Sequence, residues 1–144
     1  MLTEAEGLPV GLALDGANRH DMKLVEATLR SIPVSRPAPT VESPQHLCMD
    51  KGYDYEAVRE LVAGFGYAAH IKSRGEEADA NRTEAGFKAR RWVVERTHGW
   101  LNRFRKILIR WERKVENYEA LLHLAFASIV FAAIERFWIH WLKN

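Results

Sequence analysis

HLCMDKGYDYEAVRELVAGFGYAAHI, from His46 to Ile71, decides the fold class. His46 to Met49 is a short apolar run that suits a buried strand, and it ends in the turn-forming string Asp50-Lys51-Gly52-Tyr53-Asp54. Ala57, Val58, Leu61, Val62 and Phe65 then share one face at helical spacing, and Gly64 and Gly66 close the helix. Tyr67 to Ile71 returns as a strand. Strand, helix, strand is the alternation of an α/β protein.

Upstream, Leu8 to Leu14 (LPVGLAL) reads as a strand leaving a hairpin turn whose other arm is Met1 to Thr3. So short an arm predicts that the chain enters the fold inside a sheet, with earlier strands absent. Met22, Leu24, Val25, Leu29 and Ile32 have helical spacing, with Asn18 or Asp21 available as a cap and Pro33 as the stop. Four of the five prolines fall between Pro33 and Pro44, a loop signature. Lys72 to Glu84 is polar and loop-like. From Phe87 one long helical pattern runs to about Arg113, and a second runs from Glu116 to the end. No internal repeat appears.

With 144 residues and 47% hydrophobic content, a single domain with a real core is expected, and disorder is excluded on composition. The single cysteine, Cys48, rules out an internal disulfide framework, so nothing requires an oxidising compartment and the cytoplasm is expected. Met1 to Gly7 is acidic and has neither the basic nor the apolar region of a secretory signal. The apolar stretch Ala120 to Ile134 falls short of the roughly 18 to 20 residues that span a bilayer and reads as a buried helix. The aromatic residues after it would also suit a membrane interface.

Charge is strongly local. Lys88 to Lys114 holds ten Lys and Arg against two Glu, a surplus of +8 in a chain whose net charge is +2, so the remainder sums to −6. Such a strip attracts a polyanion, because each cation that neutralises a phosphate releases condensed counterions. Glu95 stands inside it, in RRWVVERTHGWLNRFRK, Arg90 to Lys106. Lys88, Arg91, Glu95, Gly99 and Asn102 recur at steps of three and four and form one polar face. Val94, Leu101, Phe104 and Leu108 form a second face directed to a core. Glu95 is then either an ion-pair partner of Arg91, worth a few tenths of a kcal/mol, or a metal ligand where nucleic-acid backbone is handled.

Asp50 has two readings of the same kind. It follows a short strand and precedes a glycine, the place where α/β sheets present functional groups, and it is equally suited to capping the following turn. Asp54 is expected to cap the helix that follows.

The strings GLALDGANRHD, MDKGYD and RRWVVERTHGWLNRFRK, in this order, resemble the C-terminal catalytic portion of DDE transposases of bacterial insertion sequences, and the resemblance covers nearly the whole chain. It implies an incomplete ribonuclease H-like fold, a central mixed sheet with helices followed by long C-terminal helices. In that family two aspartates and one glutamate hold two divalent ions, Mg2+ or Mn2+. Asp50 matches the second aspartate and Glu95 the glutamate, making both the expected catalytic and metal-binding residues. Arg91 matches the arginine four residues before the glutamate in the family signature. Lys88 stands where related enzymes have a tyrosine, and Asn102 where they have a lysine.

No residue matches the first aspartate, which lies upstream of the hairpin entered at Met1. Asp15 follows the wrong strand, and Asp21 sits in an Asn-Arg-His-Asp turn where capping is the plainer role. Hard ions prefer several oxygen ligands, so two carboxylates alone should hold metal poorly and this chain alone should be inactive. Complete, such a site displaces an oxygen at phosphorus twice, cutting at the transposon end and joining that end to target DNA.

Under this resemblance Arg90, Arg91, Arg96, Arg103, Arg105, Lys106 and Arg110 are expected to grip DNA phosphates of transposon ends and target. Trp100 and Trp111 are expected to pack in a core rather than stack on bases. The six histidines show no close metal spacing, His98 reads as a hydrogen-bonding or phosphate-facing residue, and Cys48 as a buried strand residue. The expected function is the C-terminal part of a bacterial insertion-sequence transposase acting at chromosome or plasmid, without membrane contact. The missing part would come from an upstream frame or be lost, and family members act as homo-oligomers that synapse two ends. The alternatives are a non-catalytic DNA-binding remnant that assembles with a full-length transposase, and a small nuclease with its own site.

Overall fold

The computed structural model describes residues 1–71 and 91–142, with the side chains of 91, 141 and 142 left aside. The polar segment expected from Lys72 to Glu84, and the residues Lys88 and Arg90, lie outside the described residues. Contacts gather into two compact units, one of Met1 with Gly11–Trp92 and the other of Leu2–Val10 with Val93–Asn144.

In the first unit, strand β3 (Gln45–Met49) pairs in parallel with β4 (Tyr67–Ile71), in a register running from Gln45 opposite Tyr67 to Met49 opposite Ile71. Helix α2 (Glu56–Gly64) connects them. Leu47, Ile71, Val58 and Val62 make the core, and Val62 is completely buried. Strand period two then turns His46 and Cys48 to the opposite face, so Cys48 is exposed rather than buried as expected. At the end of α2, Gly66 adopts φ +80°, and a Cβ there would meet Pro39 Cγ at 3.0 Å. A left-handed residue ends the helix and lets the proline loop pass close above it. Arg36 from that loop donates to the Phe65 carbonyl at 2.7 Å and lies 4.0 Å over the Tyr67 ring, fastening the loop to the helix end.

A 3-10 turn (Asp21–Leu24) leads into α1 (Val25–Arg30), which buries Val25 and Leu29. Neither Asn18 nor Asp21 caps it: the residue before the turn is His20, with no side-chain bond. Ser31 ends α1, and its hydroxyl accepts the Leu12 N–H at 2.7 Å while donating to Thr28 O at 2.8 Å.

The second unit contains the expected hairpin, shorter than read from sequence: β1 (Leu2–Thr3) and β2 (Pro9–Gly11). Glu4 organises its turn, its carboxylate accepting the N–H groups of Glu6 at 2.8 Å and Leu8 at 2.7 Å. Helix α3 (Arg91–Leu101) is followed by a turn, the short α4 (Arg105–Leu108) and the long α5 (Val115–Leu142). The single pattern expected to run to Arg113 is therefore broken. Arg103 N–H donates to Trp100 O and Phe104 N–H to Leu101 O, closing a turn that no proline marks. Leu108 and Trp111, expected in a core, are 54% and 77% exposed because they lie beyond this turn.

Among the described residues the strands form two separate two-stranded sheets, not one central mixed sheet. Helix α5 is also longer and more open than the buried helix expected. Leu122, Ala125, Phe126 and Ile129 are buried, but Leu124, Phe131, Ile134, Phe137, Trp138 and Ile139 are exposed. By length and composition its span Val115–His140 would suffice to cross a membrane.

Candidate active site

Asp50 begins where β3 ends. Its backbone is extended (φ −78°, ψ 171°), and its Oδ1 accepts the Gly52 N–H at 2.8 Å while its carbonyl accepts the Tyr53 N–H at 3.1 Å. A Cβ on Gly52 would stand 3.0 Å from that Oδ1, so the glycine gives the carboxylate its place. The capping reading of Asp50 is met. It caps the turn through one oxygen, and it is exposed, with no described donor on the other.

The two other acids near this turn behave differently. Asp54 does not cap α2, whose N-cap is Tyr55 without a side-chain bond. It pairs instead with Lys51 at 2.9 Å and with Arg59 at 2.6 Å. Hydrogen bonds from Lys51 and then Arg59 hold its carboxyl below the ordinary value of 3.8. Asp21 lies near enough to Tyr53 to act on it: burial first, then the charges of Asp21 and Asp50, push the phenol above 10.0. Two carboxylates thus flank one half-buried tyrosine, while the third is neutralised by two cations.

Glu95 sits midway along α3. Val93, Thr97 and Leu101, each four residues apart, are the buried side of that helix; Val94, which the sequence placed toward a core, is 37% exposed. Thr97 is fully buried, and its hydroxyl donates to the Gly7 carbonyl at 2.5 Å with Val93 O at 3.1 Å. Gly7 accepts this approach through φ +85°, and a Cβ there would meet Arg96 Nε at 3.1 Å. Anchoring through 93, 97 and 101 turns Glu95, His98, Gly99 and Asn102 outward, all exposed. Glu95 makes no hydrogen bond or ion pair with another described residue. The pairing with Arg91 expected from the sequence lies outside the described side chains.

The basic residues divide. Arg96 is half-buried, donates to the Glu6 carbonyl and stacks 5.1 Å over Trp100, which makes it part of the hairpin–helix joint. Arg103, Arg105, Lys106 and Arg110 are exposed. Arg110 also lies 5.5 Å over the Tyr118 ring and donates to Glu112 O at 3.1 Å. Trp100 is half-buried, in line with a packing role.

Asp50 belongs to the first unit and Glu95 to the second. Both offer exposed hard oxygen donors, the type that suits Mg2+ or Mn2+, but no group of three His, Cys, Asp or Glu among the described residues forms a ligand set. The sequence also missed a pair: His46 Nδ1 and His70 Nε2 are 2.7 Å apart across β3 and β4. They stand 24 residues apart in sequence, and only the strand register brings them together.

A family model for the transposase DDE domain matches residues 47–132, the span that contains both Asp50 and Glu95. This chain belongs to the DDE transposase family. It is 34% identical over 140 residues to a protein of Burkholderia cepacia assigned as a transposase for insertion sequence element IS402. That alignment takes in 94% of this chain and 63% of the relative's length. No solved structure matches the chain, so membership rests on sequence, and the fold stands as α/β.

Proposed function

We propose that this chain is the C-terminal part of an insertion-sequence transposase, with Asp50 and Glu95 as two of the carboxylates of a site that cleaves transposon-end DNA and transfers the cut strand. The observation that carries the reading is Asp50 itself. A turn specified by Gly52 fixes one oxygen and leaves the carboxylate exposed at a strand end, while neighbouring Asp54 is committed to Lys51 and Arg59.

Bound divalent ions would activate a water or 3′ hydroxyl and stabilise the leaving oxygen at phosphorus. Asp50 and Glu95 would supply oxygen ligands. Arg103, Arg105, Lys106 and Arg110 would hold backbone phosphates and fix the DNA's position without reading its sequence. Arg90 and Arg91 join them in this proposal on sequence alone, and Arg96 contributes by holding α3 on the hairpin.

The first aspartate would come from a part preceding the hairpin, encoded upstream. One feature supports this: the chain spans 63% of the relative it matches. Assembly of several copies around two DNA ends, in the bacterial cytoplasm, completes the reading.

The test compares this chain with the transposase completed by its upstream part. Alone, the chain should bind DNA in a salt-sensitive way and leave it uncut with Mg2+. Completed, it should cut and join, and Glu95→Gln or Asp50→Asn should abolish both steps while DNA binding persists. Cutting by the chain alone, lost in Glu95→Gln, would mean an independent nuclease instead. A completed protein indifferent to both substitutions would refute the assignment.

A further inference from the structure

Strands β3 and β4 turn Leu47 and Ile71 into the core, and the alternation along each strand sends His46, Cys48, Ala68 and His70 to the opposite face, where all four are exposed. The register sets His46 opposite Ala68 and Cys48 opposite His70. Ala68 adds only a methyl opposite His46, which leaves room for the His70 ring to lean along the diagonal. The two ring centroids are 4.8 Å apart at 52°, and His46 Nδ1 lies 2.7 Å from His70 Nε2. With both rings neutral, one of these nitrogens donates and the other accepts.

We propose that His46 and His70 chelate a borderline divalent transition-metal ion, such as Ni2+ or Zn2+, through these two nitrogens. Imidazole suits ions of this class, whereas Mg2+ takes oxygen ligands. An ion at roughly 2.0 to 2.1 Å from each nitrogen holds them about 2.9 Å apart when its bonds are at right angles and about 3.3 Å apart when they are tetrahedral. Small ring rotations on the exposed face supply the difference from 2.7 Å. The proton now shared between the rings has a place to go. Each ring keeps one proton on its outer nitrogen, Nε2 of His46 and Nδ1 of His70, and the ion exchanges two of its waters for the two inner nitrogens.

No third His, Cys, Asp or Glu among the described residues completes a ligand set, so water fills the remaining positions and the ion stays exchangeable. What the ion gains from the protein is the chelate, two ligands already gathered by the strand register. What the protein gains is a clip. An ion held there ties β3 to β4 on the face opposite Leu47 and Ile71, and because it needs the folded register it stabilises the β3–α2–β4 unit. The site lies within this one unit and is separate in its donor chemistry from the carboxylates Asp50 and Glu95, so it stands or falls whatever the strand-transfer chemistry proves to be.

Calorimetric titration of Ni2+ into the whole chain at neutral pH should show one ion bound per chain, unaffected by excess Mg2+. His46→Gln and His70→Gln should each weaken binding at least about tenfold, since even changes behind a metal ligand cost 10- to 100-fold. The double variant should be little weaker than either single one, because losing one ring already forfeits the chelate. Cys48→Ser on the same face and His123→Gln on α5 should bind like wild type. All these positions are exposed, and circular dichroism should report unchanged helicity. In the wild-type chain, Zn2+ should shift the ring nitrogen resonances of His46 and His70 together by NMR, with coordination at Nδ1 of the first and Nε2 of the second. Ni2+ bound equally well by His46→Gln, displacement by Mg2+, loss of binding in Cys48→Ser, or zinc shifts confined to other histidines would each overturn the proposal.

Discussion

Replacing Thr97 by valine probes how the helix that carries Glu95 is held in place. The side chain is fully buried, and valine matches its shape, so packing survives while one bond is lost. The Gly7 carbonyl, which receives that hydroxyl at 2.5 Å, is left without it in a site that water does not reach. An unsatisfied buried acceptor costs about 1 to 3 kcal/mol. For a chain of this length that corresponds to a fall in Tm of roughly 3 to 9 °C. Thr97→Ser keeps the hydroxyl and removes one methyl, so it should cost only about 1 kcal/mol. The assay is urea unfolding followed by tryptophan fluorescence, with amide exchange at Gly7 and Val93 reporting the joint itself. If Thr97→Val is as stable as wild type while Thr97→Ser is less stable, the hydroxyl is irrelevant and packing alone seats the helix.

Other expectations follow from the same contacts. Gly52→Ala places a methyl 3.0 Å from Asp50 Oδ1, so the completed transposase should lose about tenfold or more in strand transfer while stability changes by less than about 1 kcal/mol; unchanged transfer would show that the turn does not position the carboxylate. Changing Arg103, Arg105, Lys106 and Arg110 together to glutamine should reduce the slope of log affinity for duplex DNA against log salt by up to about 3.6, and an unaltered slope would remove these four from the interface. Asp54 has a folded-state pKa below 3.8, so its ion pairs contribute stability in full above that value and lose it as pH falls through the lowered one. Asp54→Asn should therefore flatten the acid side of the stability curve measured by urea midpoints from neutral pH downward, and an identical acid limb would mean that the pairs add nothing.

The sequence made the β3–α2–β4 unit legible because each signal there is local: an apolar run, a polar turn with glycine, five apolar positions on one helical face, and two closing glycines. Tyr67–Ile71 emerges with the bounds expected. The hairpin was legible for the same reason, through Glu4 to Gly7. What failed depends on contacts distant in sequence. Cys48 is polar-facing because Leu47 takes the core position and strand alternation leaves no choice. Val94 lost its place to Val93 because Thr97 bonds to Gly7, some ninety residues away in the chain, and that bond sets the rotation of α3. The break after Leu101 carries no proline or glycine, so periodicity ran straight through it. Asp54 was read as a cap because its cations, Lys51 and Arg59, declare themselves only once the turn has formed. The assignment of Asp50 and Glu95 rests on family resemblance, and the structure adds to it the turn at Asp50, whereas the histidine pair needed strand register.

The central claim is that Asp50 and Glu95 serve one cation. Paramagnetic Mn2+ titrated into the chain and followed by amide line broadening tests it most directly, since broadening reports proximity even where binding is weak. Residues around Asp50 and around Glu95 should broaden together, with one concentration dependence, and Asp50→Asn should abolish the effect at both places. Broadening near one carboxylate while the other stays sharp would contradict the account.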